Sequence, residues 1–381
     1  MSITHLYIHV PYCKKLCYYC DFHFSLNLKT RDQYVSAICK ELQLRKDFIT
    51  EPLSTIYFGG GTPSVLNKDE LTRIFDTIHE TFSISSGAEI SFECNPDDIS
   101  EEYCKMLKSL GINRLSIGIQ SFFDDDLQLL NRRHSAESAK NAVKIAQNVG
   151  FENITIDLIY GLPNMTLERW KQNLQEVENL NIQHLSAYSL MVEEHTALNK
   201  FVKTGKFILP TEDSVLEQFN YLIDWSQRTG FEQYEISNFA KDGMYSRHNS
   251  SYWSGEPYLG VGPSAHSFDG AHRYWNIAHN AKYIEAIKNN SIPFEMETLS
   301  LTDKYNELIM ISLRTKKGVD IRLIKNNFPE EYYRNFVTQK DSYIKRGLLQ
   351  EHQTNISLTR QGIMLSDSIM SDLFMIQDGS N

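Results

Sequence analysis

Three of the six cysteines lie close together near the amino terminus, in the pattern Cys13-x3-Cys17-x2-Cys20. Three thiolates on one loop can hold three irons of a cubane iron–sulfur cluster, which leaves the fourth iron open to another ligand. An isolated Cys-x2-Cys pair would favour zinc, here held by Cys17, Cys20 and His23, and unligated thiols are a third reading. The x3 spacing and the position directly after the first predicted strand favour the iron–sulfur cluster.

A second segment suited to ligand binding is the glycine-rich turn GGGTP at residues 59–63, directly after the second predicted strand. Glycines let the backbone approach a ligand closely, and the free amides of such a turn can bind a carboxylate. Taken alone, this segment could equally be a plain turn. Because it lies beside the predicted cluster loop, we expect it to face a polar ligand.

Polar side chains follow at the ends of later strands. Glu93, Gln120 and Asp157 lie at or near the carboxyl ends of three predicted strands, and Arg132 lies beside Arg133 in a nearby loop. Ligands of parallel barrels bind at this end of the strands. Taken singly, each of these residues is more often a structural or surface residue. Their joint placement at successive strand ends indicates a ligand site.

The elements that position these residues alternate between β-rich runs and helical patterns up to about residue 230, which predicts an α/β protein with a parallel sheet. Strands are predicted at His5–Val10, Ser54–Phe58, Glu89–Glu93, Arg114–Gln120, Ile154–Tyr160 and His184–Leu190, and helices at Arg31–Phe48, Lys68–Phe82, Ser100–Leu110, Ala136–Val149 and Thr166–Leu180. Six such units fit a partial (β/α)6 barrel. The strands alternate apolar and small polar residues, so we expect the polar face to line a ligand-filled interior.

The chain after residue 230 follows a different pattern. Residues 231–275 are rich in aromatic residues, Gly, Ser and Asn. Beyond them, helices are predicted at Asp303–Arg314, Ile321–Phe328 and Tyr332–Arg346, a hairpin at Leu348–Gln350 and Ile356–Leu358, and a last helix at Arg360–Phe374. Helices followed by a small hairpin look like a winged-helix module. The predicted division is a barrel at 1–230, a connecting region at 231–300 and a small α-rich, winged-helix-like domain at 301–381.

Composition argues against several classes of function. The 381 residues carry 38 Lys and Arg against 48 Asp and Glu, a net charge of −10, whereas a nucleic-acid partner usually requires a basic stripe. We expect no transmembrane segment, because no apolar run approaches the ~18 residues of a membrane helix. The N-terminal sequence MSITHLYIHVPY lacks the basic and apolar segments of a signal peptide. We therefore expect a cytoplasmic protein, in which structural disulfides are rare.

The motifs around these residues resemble those of the radical S-adenosylmethionine (SAM) superfamily, and more narrowly its coproporphyrinogen-III-oxidase-like branch. The similar segments are YIHVPYC through Cys20, GGGTP, FECNPDD, LSIGIQSF, LNRRHS and IDLIYGLP, within residues 4–165, and later YEISNFA. The resemblance implies a [4Fe–4S] cluster on Cys13, Cys17 and Cys20, with the amino and carboxylate groups of SAM on the fourth iron. It also implies SAM contacts from Tyr7, Tyr19, Gly60, Gly61, Thr62, Glu93, Gln120, Arg132 and Asp157.

Two functions compete within this branch, and three features separate them. The oxidases carry a fourth cysteine two residues after the third, where this chain has Phe22. They also have a longer segment before the cluster than the twelve residues that precede Cys13 here. Finally, HNSSYW at residues 248–253 is similar to the HNxxYW motif of the HemW-type heme chaperones.

The similarity of this last motif implies that His248, Tyr252 and Trp253 bind heme, with the imidazole as an axial ligand of the iron. His266 is a second candidate ligand. The ordinary alternative is a capped turn in which Tyr252 and Trp253 pack in the core and His248 is satisfied by neighbours.

The sequence therefore predicts a chaperone that binds heme and transfers it to acceptor proteins, respiratory ones among them, as a monomer or a homodimer. We assign it no catalytic residue. The first alternative is an enzyme, an oxygen-independent coproporphyrinogen III dehydrogenase that converts propionates to vinyl groups, and the second is a redox-sensing iron–sulfur protein. Cys39, Cys94 and Cys104 are expected to be buried small hydrophobic residues outside the site.

Overall fold

Six parallel strands form the centre of one sheet in the computed structural model, which describes residues 2–376. They are β1 (His5–Val10), β2 (Leu53–Gly60), β3 (Ile84–Cys94), β4 (Arg114–Gln120), β5 (Asn153–Tyr160) and β6 (His184–Ser189). Neighbouring strands pair in parallel from β1 to β6. The predicted partial barrel of six βα units is confirmed.

Helices connect these strands and cover the outer face of the sheet. They are α1 (Arg31–Leu44), α2 (Lys68–Thr81), α3 (Glu101–Ser109), α4 (Asp124–Leu129), α5 (Ala136–Asn148), α6 (Leu167–Asn179), α7 (Ala197–Lys203) and α8 (Glu212–Thr229). The side chains of Asn67 and Ser135 accept backbone N–H bonds at the starts of α2 and α5, as N-cap residues do. On the outer face, the rings of Phe58 and Phe75 stack at 5.2 Å between β2 and α2.

Parts of the segment 231–300 extend this sheet at both of its edges. Strands β7 (Glu232–Gln233) and β8 (Asn238–Ala240) extend the sheet beyond β6, with β8 antiparallel to β6. After the short helix α9 (Arg247–Trp253), strand β9 (Leu259–Val261) pairs in parallel with β1. The order is β7-β8-β6-β5-β4-β3-β2-β1-β9.

The rest of this segment forms a small antiparallel sheet of β10 (His266–Phe268), β11 (His272–Asn276) and β12 (Phe294–Thr298), with helix α10 (Asn280–Lys288) between β11 and β12. A buried polar network joins it to α1. The Glu41 carboxylate accepts bonds from Arg45 Nε at 2.9 Å and from Asn276 Nδ2 at 2.8 Å. Arg45 Nη2 also donates to Asn276 Oδ1 at 3.0 Å.

The C-terminal region has a hydrophobic core of its own, which includes Tyr305, Ile309 and Phe336. Its elements are α11 (Leu301–Leu313), β13 (Val319–Asp320), α12 (Ile321–Asn327), α13 (Glu330–Lys345), β14 (Leu349–His352), β15 (Asn355–Leu358), α14 (Arg360–Ile363) and α15 (Ser366–Leu373). Helices α11 to α13 and a three-stranded sheet in the order β13-β15-β14 agree with the predicted winged-helix-like domain.

One detail of this region differs from the sequence-based expectation. The last helix is two helices, because the chain breaks after α14 near Gly362, whose missing side chain lets it pack directly against the Leu348 carbonyl. The predicted domain end, residues 377–381, lies outside the described residues. Within residues 2–376, no helix has both the length and the apolar character needed to cross a membrane.

Candidate functional site

A cavity of about 590 Å³ opens at the carboxyl ends of the parallel strands. Most of the predicted site residues line it, namely Cys13, Cys17, Tyr19, Cys20, Gly60, Gly61, Thr62, Glu93, Gln120, Arg132 and Asp157. Ser116 and Gly118 on β4 complete its inner wall, so the small polar face of the strands lines the interior as expected. The structure therefore brings these residues together around one space.

The loop that carries the three cysteines follows β1 and is held at both ends. Cys13 N donates to Ser25 O at 3.0 Å, and Ser25 N donates to Pro11 O at 2.8 Å, which closes the loop at its base. On the outer side, Asn131 Nδ2 donates to Leu16 O at 2.6 Å. The loop is therefore anchored independently of any bound metal.

Each of two cysteine sulfurs has a polar neighbour in the cavity wall. Thr62 Oγ1 donates to Cys13 Sγ at 3.4 Å, and Arg132 Nη1 donates to Cys17 Sγ at 3.3 Å. Burial raises the pKa of the Cys13 thiol to about 11, and burial also raises the pKa of Cys20. These thiols become ligands only when a metal centre displaces their protons, since the thiolate is the ligand form.

The chemistry of the donor set favours a cluster over a single zinc ion. One zinc needs its ligands to converge at about 2.0–2.3 Å from a single point. Among residues 2–376, no three His, Cys, Asp or Glu side chains form such a group. His23 Nε2 is instead hydrogen-bonded to Asn280 Oδ1 at 2.7 Å. A cubane cluster takes one thiolate on each of three irons, so it suits three thiols spread around one cavity.

The glycine turn brings bare backbone to the cavity wall. Gly60 has a φ of +107°, and a Cβ there would lie 2.7 Å from the His9 ring. A Cβ at Gly61 would lie 2.9 Å from the backbone N and O of Tyr12. Because larger residues cannot be placed here without displacing β1 or the cluster loop, the turn presents main-chain atoms to a ligand.

Two of the carboxyl groups that line the cavity, those of Glu93 and Asp157, have raised pKa values. Burial, together with the nearby Asp157, raises the pKa of Glu93 to about 7, although the Tyr57 hydroxyl donates to Glu93 Oε1 at 2.8 Å and opposes this shift. Burial likewise raises the pKa of Asp157 to about 6, against hydrogen bonds from Ser186 and Ser116. Both groups are therefore poised to ionise when a cationic or hydroxyl-bearing ligand enters.

Arg132 links the cluster loop to the strand ends. Its Nη2 donates to Asn95 Oδ1 at 2.6 Å and to Gly118 O at 2.7 Å, in addition to the bond to Cys17. Its buried Nε has no hydrogen-bond partner within the described part of the chain. Three thiols, two ionisable carboxyls, a guanidinium and exposed backbone together fit an iron–sulfur cluster with a zwitterionic, ribose-bearing ligand.

The other four residues predicted to bind SAM or heme, which are Tyr7, His248, Tyr252 and Trp253, are not part of the cavity wall. Tyr7 stacks on Tyr57, and its hydroxyl lies 3.2 Å from His9 Nδ1. His248 is fully buried, with Nδ1 at 2.7 Å from Thr55 Oγ1 and Nε2 at 2.8 Å from the Tyr252 hydroxyl. Both imidazole nitrogens are therefore hydrogen-bonded in this structure.

Trp253 lies near Arg314, whose guanidinium carbon is 5.8 Å from the indole centroid. Sequence reasoning also missed Tyr57, which belongs to no quoted motif. Strand alternation puts Tyr57 on the same inward face as Gly59, and this signal could have identified it. Cys94 and Cys104 are buried as expected, but Cys94 also lines the cavity rather than lying outside the site, and Cys39 is only half-buried.

The mouth of the cavity is unusually apolar. Phe22, Tyr188 and Met191 line it and are 70%, 41% and 66% exposed. Phe22 occupies the position two residues after Cys20, where the resemblance predicts a fourth cysteine in the oxidases. Exposed large apolar residues that converge on one opening indicate a binding surface for an apolar ligand.

Comparisons with known proteins show which families this chain is similar to. The family model of the radical SAM superfamily matches residues 7–177, and that of the HemN C-terminal domain matches residues 299–365. The heme chaperone HemW of Bacillus subtilis is 35% identical over 95% of this chain and 97% of its own length. HemW of Lactococcus lactis is 34% identical over 98% of this chain and 97% of its own length.

A solved structure is also similar to this fold. Coproporphyrinogen III oxidase (HemN) from Escherichia coli, described as a radical SAM enzyme, superposes with a TM-score of 0.85 and 26% identity. The match covers 98% of this chain and 91% of that one.

Proposed function

This chain belongs to the HemW family of the radical SAM superfamily, and on that premise we propose that it is a heme chaperone with a [4Fe–4S] cluster and SAM at the open iron. The observation that carries the cofactor proposal is the single cavity shared by the three thiols, the glycine turn and the two carboxyls. When bound, the cluster and SAM supply the one-electron chemistry of the superfamily.

In this proposal, different residues of the cavity bind different parts of the cluster and of SAM. Cys13, Cys17 and Cys20 each hold one iron. The Glu93 carboxylate accepts hydrogen bonds from the amino group of SAM. The backbone of Gly60 and Gly61, together with Thr62, contacts the methionyl end of SAM. Arg132 pairs with a carboxylate and Asp157 accepts ribose hydroxyls. Tyr19 and Gln120 close the cavity around the ligand, and Tyr7 supports it from below.

In this proposal, heme binds at the mouth of the cavity. Phe22, Tyr188 and Met191 offer apolar contact to a porphyrin face, and a methionine thioether is a known axial ligand of heme iron. The competing heme site is the motif with His248, Tyr252 and Trp253. Ligation by His248 would require its bonds to Thr55 and Tyr252 to break.

Heme titration separates these two sites. Because each exposed apolar side chain loses its hydration when heme covers it, Phe22→Ala and Met191→Ala are each expected to weaken heme binding roughly tenfold. His248→Ala is expected to keep the Soret spectrum of the wild type. Ile208→Ala, at a 76% exposed apolar residue outside the cavity lining, is the matched control. A Soret band lost only in His248→Ala would show that the motif binds the iron.

The pH dependence of SAM binding follows from Glu93. Because burial raises the pKa of this carboxyl to about 7, it is protonated at lower pH and then accepts hydrogen bonds from the iron-bound amino group of SAM less well. Binding is therefore expected to strengthen as the pH rises from about 5.5 to about 7.5. Tyr57→Phe removes a hydrogen bond that stabilises the carboxylate, so the midpoint should rise by about one unit.

The measurement is the SAM dissociation constant of the anaerobically reconstituted chain, taken across this pH range. Tyr103→Phe is the control, because the Tyr103 hydroxyl donates to Leu66 O and the residue lies outside the cavity lining. A midpoint that moves equally in both variants, or in neither, would remove the Tyr57–Glu93 bond from the account of SAM binding.

One second function has specific support. The similarity to coproporphyrinogen III oxidase extends over nearly the whole chain, and the shared fold could also serve an oxidase. Phe22 at the position of the fourth cysteine favours the chaperone. Acceptor proteins for the heme, respiratory ones among them, and a homodimer belong to the proposed function.

A further inference from the structure

The helix that carries the HNxxYW motif, α9, closes the barrel beneath the cavity. The Glu89 carboxylate accepts the backbone N–H groups of Arg247 and His248 at 3.0 and 3.1 Å, which fixes the first turn of α9 to β3. The His248 ring then lies between the Thr55 hydroxyl on β2 and the Tyr252 hydroxyl on α9. The motif is therefore built into the barrel, with every polar atom of the imidazole bonded.

The rings of His248, Tyr57 and Tyr7 lie almost parallel to one another in the barrel interior. The His248 and Tyr57 rings are 5.1 Å apart at 26°, and the Tyr7 and Tyr57 rings are 6.1 Å apart at 24°. Tyr7 and His248 also stack, with centroids 6.4 Å apart. The hydroxyl of Tyr57 extends from this stack to Glu93 Oε1 at 2.8 Å. The stack thus connects α9 to a carboxylate of the cavity wall.

The two tyrosine rings and the Glu93 carboxylate pack closely around Gly59, which has no side chain. A Cβ built at Gly59 would lie 2.9 Å from Tyr57 Cε1, 3.0 Å from Tyr7 Cε2 and 3.1 Å from Glu93 Oε1. The two tyrosine rings and the carboxylate therefore fill the space that any larger residue at position 59 would need. A displaced Tyr57 ring would carry the carboxylate with it or lose its hydrogen bond.

We propose that His248 and Tyr252 are positioning residues for the amino end of SAM. His248 supports the Tyr57 ring from below, Tyr252 fixes the orientation of the imidazole, and the Tyr57 hydroxyl fixes the Glu93 carboxylate. The inference rests on the proposed SAM site. In this role the motif supports the cofactor cavity, and His248 keeps its hydrogen bonds to Thr55 and Tyr252.

The chain contains a matched control for His248. His184 is also fully buried, with Nδ1 at 3.1 Å from Thr155 Oγ1 and Nε2 at 2.8 Å from the Tyr234 hydroxyl. Its bonding to one threonine and one tyrosine repeats that of His248. Its ring, however, meets Tyr234 edge-on rather than stacking on Tyr57. The two histidines are therefore equally buried and similarly hydrogen-bonded, but only His248 contacts the Tyr57 ring that is bonded to Glu93.

The experiment compares His248→Ala, His248→Phe and His184→Ala in the full-length, anaerobically reconstituted protein. The dissociation constant of SAM, the SAM-induced change in the EPR spectrum of the reduced cluster, and the unfolding temperature are measured for each. His248→Ala is expected to weaken SAM binding about tenfold, the upper range for one aromatic pair. His248→Phe, which keeps a stacking ring, should recover most of that loss. His184→Ala should lower the unfolding temperature comparably and leave SAM binding within about twofold of the wild type.

Each outcome decides between readings. Equal SAM affinity in His248→Ala and the wild type, or an equal loss in His248→Ala and His184→Ala, would overturn the positioning role. Failure of the wild-type holoprotein to bind SAM would instead overturn the proposed cofactor site, and the inference with it. A normal SAM affinity in His248→Ala together with loss of the heme Soret band would return His248 to the heme site.

Discussion

Replacing Cys17 with serine is expected to abolish the iron–sulfur cluster. The loop offers three thiols, and each must hold one iron, so two remaining thiols cannot retain the cubane. A serine hydroxyl is a poor substitute because it keeps its proton where a metal-bound thiol loses it. Cys17 is also the cysteine whose sulfur contacts Arg132, so the variant removes the contact between the loop and the strand ends.

The measurement is iron and sulfide content, with visible absorbance, after anaerobic reconstitution. Cys39→Ser is the control, since Cys39 is a half-buried free thiol on α1 whose sulfur contacts Arg73 O at 3.5 Å, outside the cavity. The control should bind iron as the wild type does. Wild-type iron content in Cys17→Ser would show that the loop does not ligate the cluster.

Replacing Glu41 with leucine is expected to cost about 3–5 kcal/mol of unfolding free energy, the usual effect of removing one partner of a buried ion pair. Glu41 and Arg45 are both almost fully buried, and the Glu41 carboxylate also accepts bonds from Asn276, Tyr283 and Gly262. The variant leaves the Arg45 guanidinium buried without its carboxylate. It also removes the main polar link between α1 and the segment around β11 and α10.

The loss is measured by urea denaturation of the variant and the wild type under the same cofactor conditions. Glu101→Ala is the control, because Glu101 forms an exposed pair with Lys105, whose removal should change stability little. The double variant Glu41→Leu/Arg45→Met should recover part of the loss, since it no longer buries an unpaired charge. A single-variant loss no greater than that of the control would contradict the buried network.

The cavity could be predicted from sequence because its parts are local. The cysteine loop, the glycine turn and the strand-end residues Glu93 and Asp157 follow directly from short motifs placed on alternating β and α elements. A parallel barrel brings all strand ends to one edge whatever the details of packing. The central strands and the cavity wall were therefore predictable without knowledge of any long-range contact.

The remaining features depend on contacts between distant segments. β9 has three residues, Leu259–Val261, which is too short for a periodic signal, and it becomes a strand only by pairing with β1. The place of His248 is set by Thr55 and Glu89, which are more than 150 positions away. No local pattern could show that this motif lies beneath the cavity, and a match to HNxxYW gives no information on which side of the sheet it packs.

The most direct test offers coproporphyrinogen III and, separately, heme to the same anaerobically reconstituted preparation. With reductant and SAM present, the porphyrin products are analysed by mass spectrometry for vinyl groups, and heme binding is followed at the Soret band. The proposed function predicts saturable heme binding and no vinyl product above that of the Cys17→Ser sample. SAM-dependent formation of vinyl groups, or absence of heme binding by the cluster-loaded protein, would contradict it.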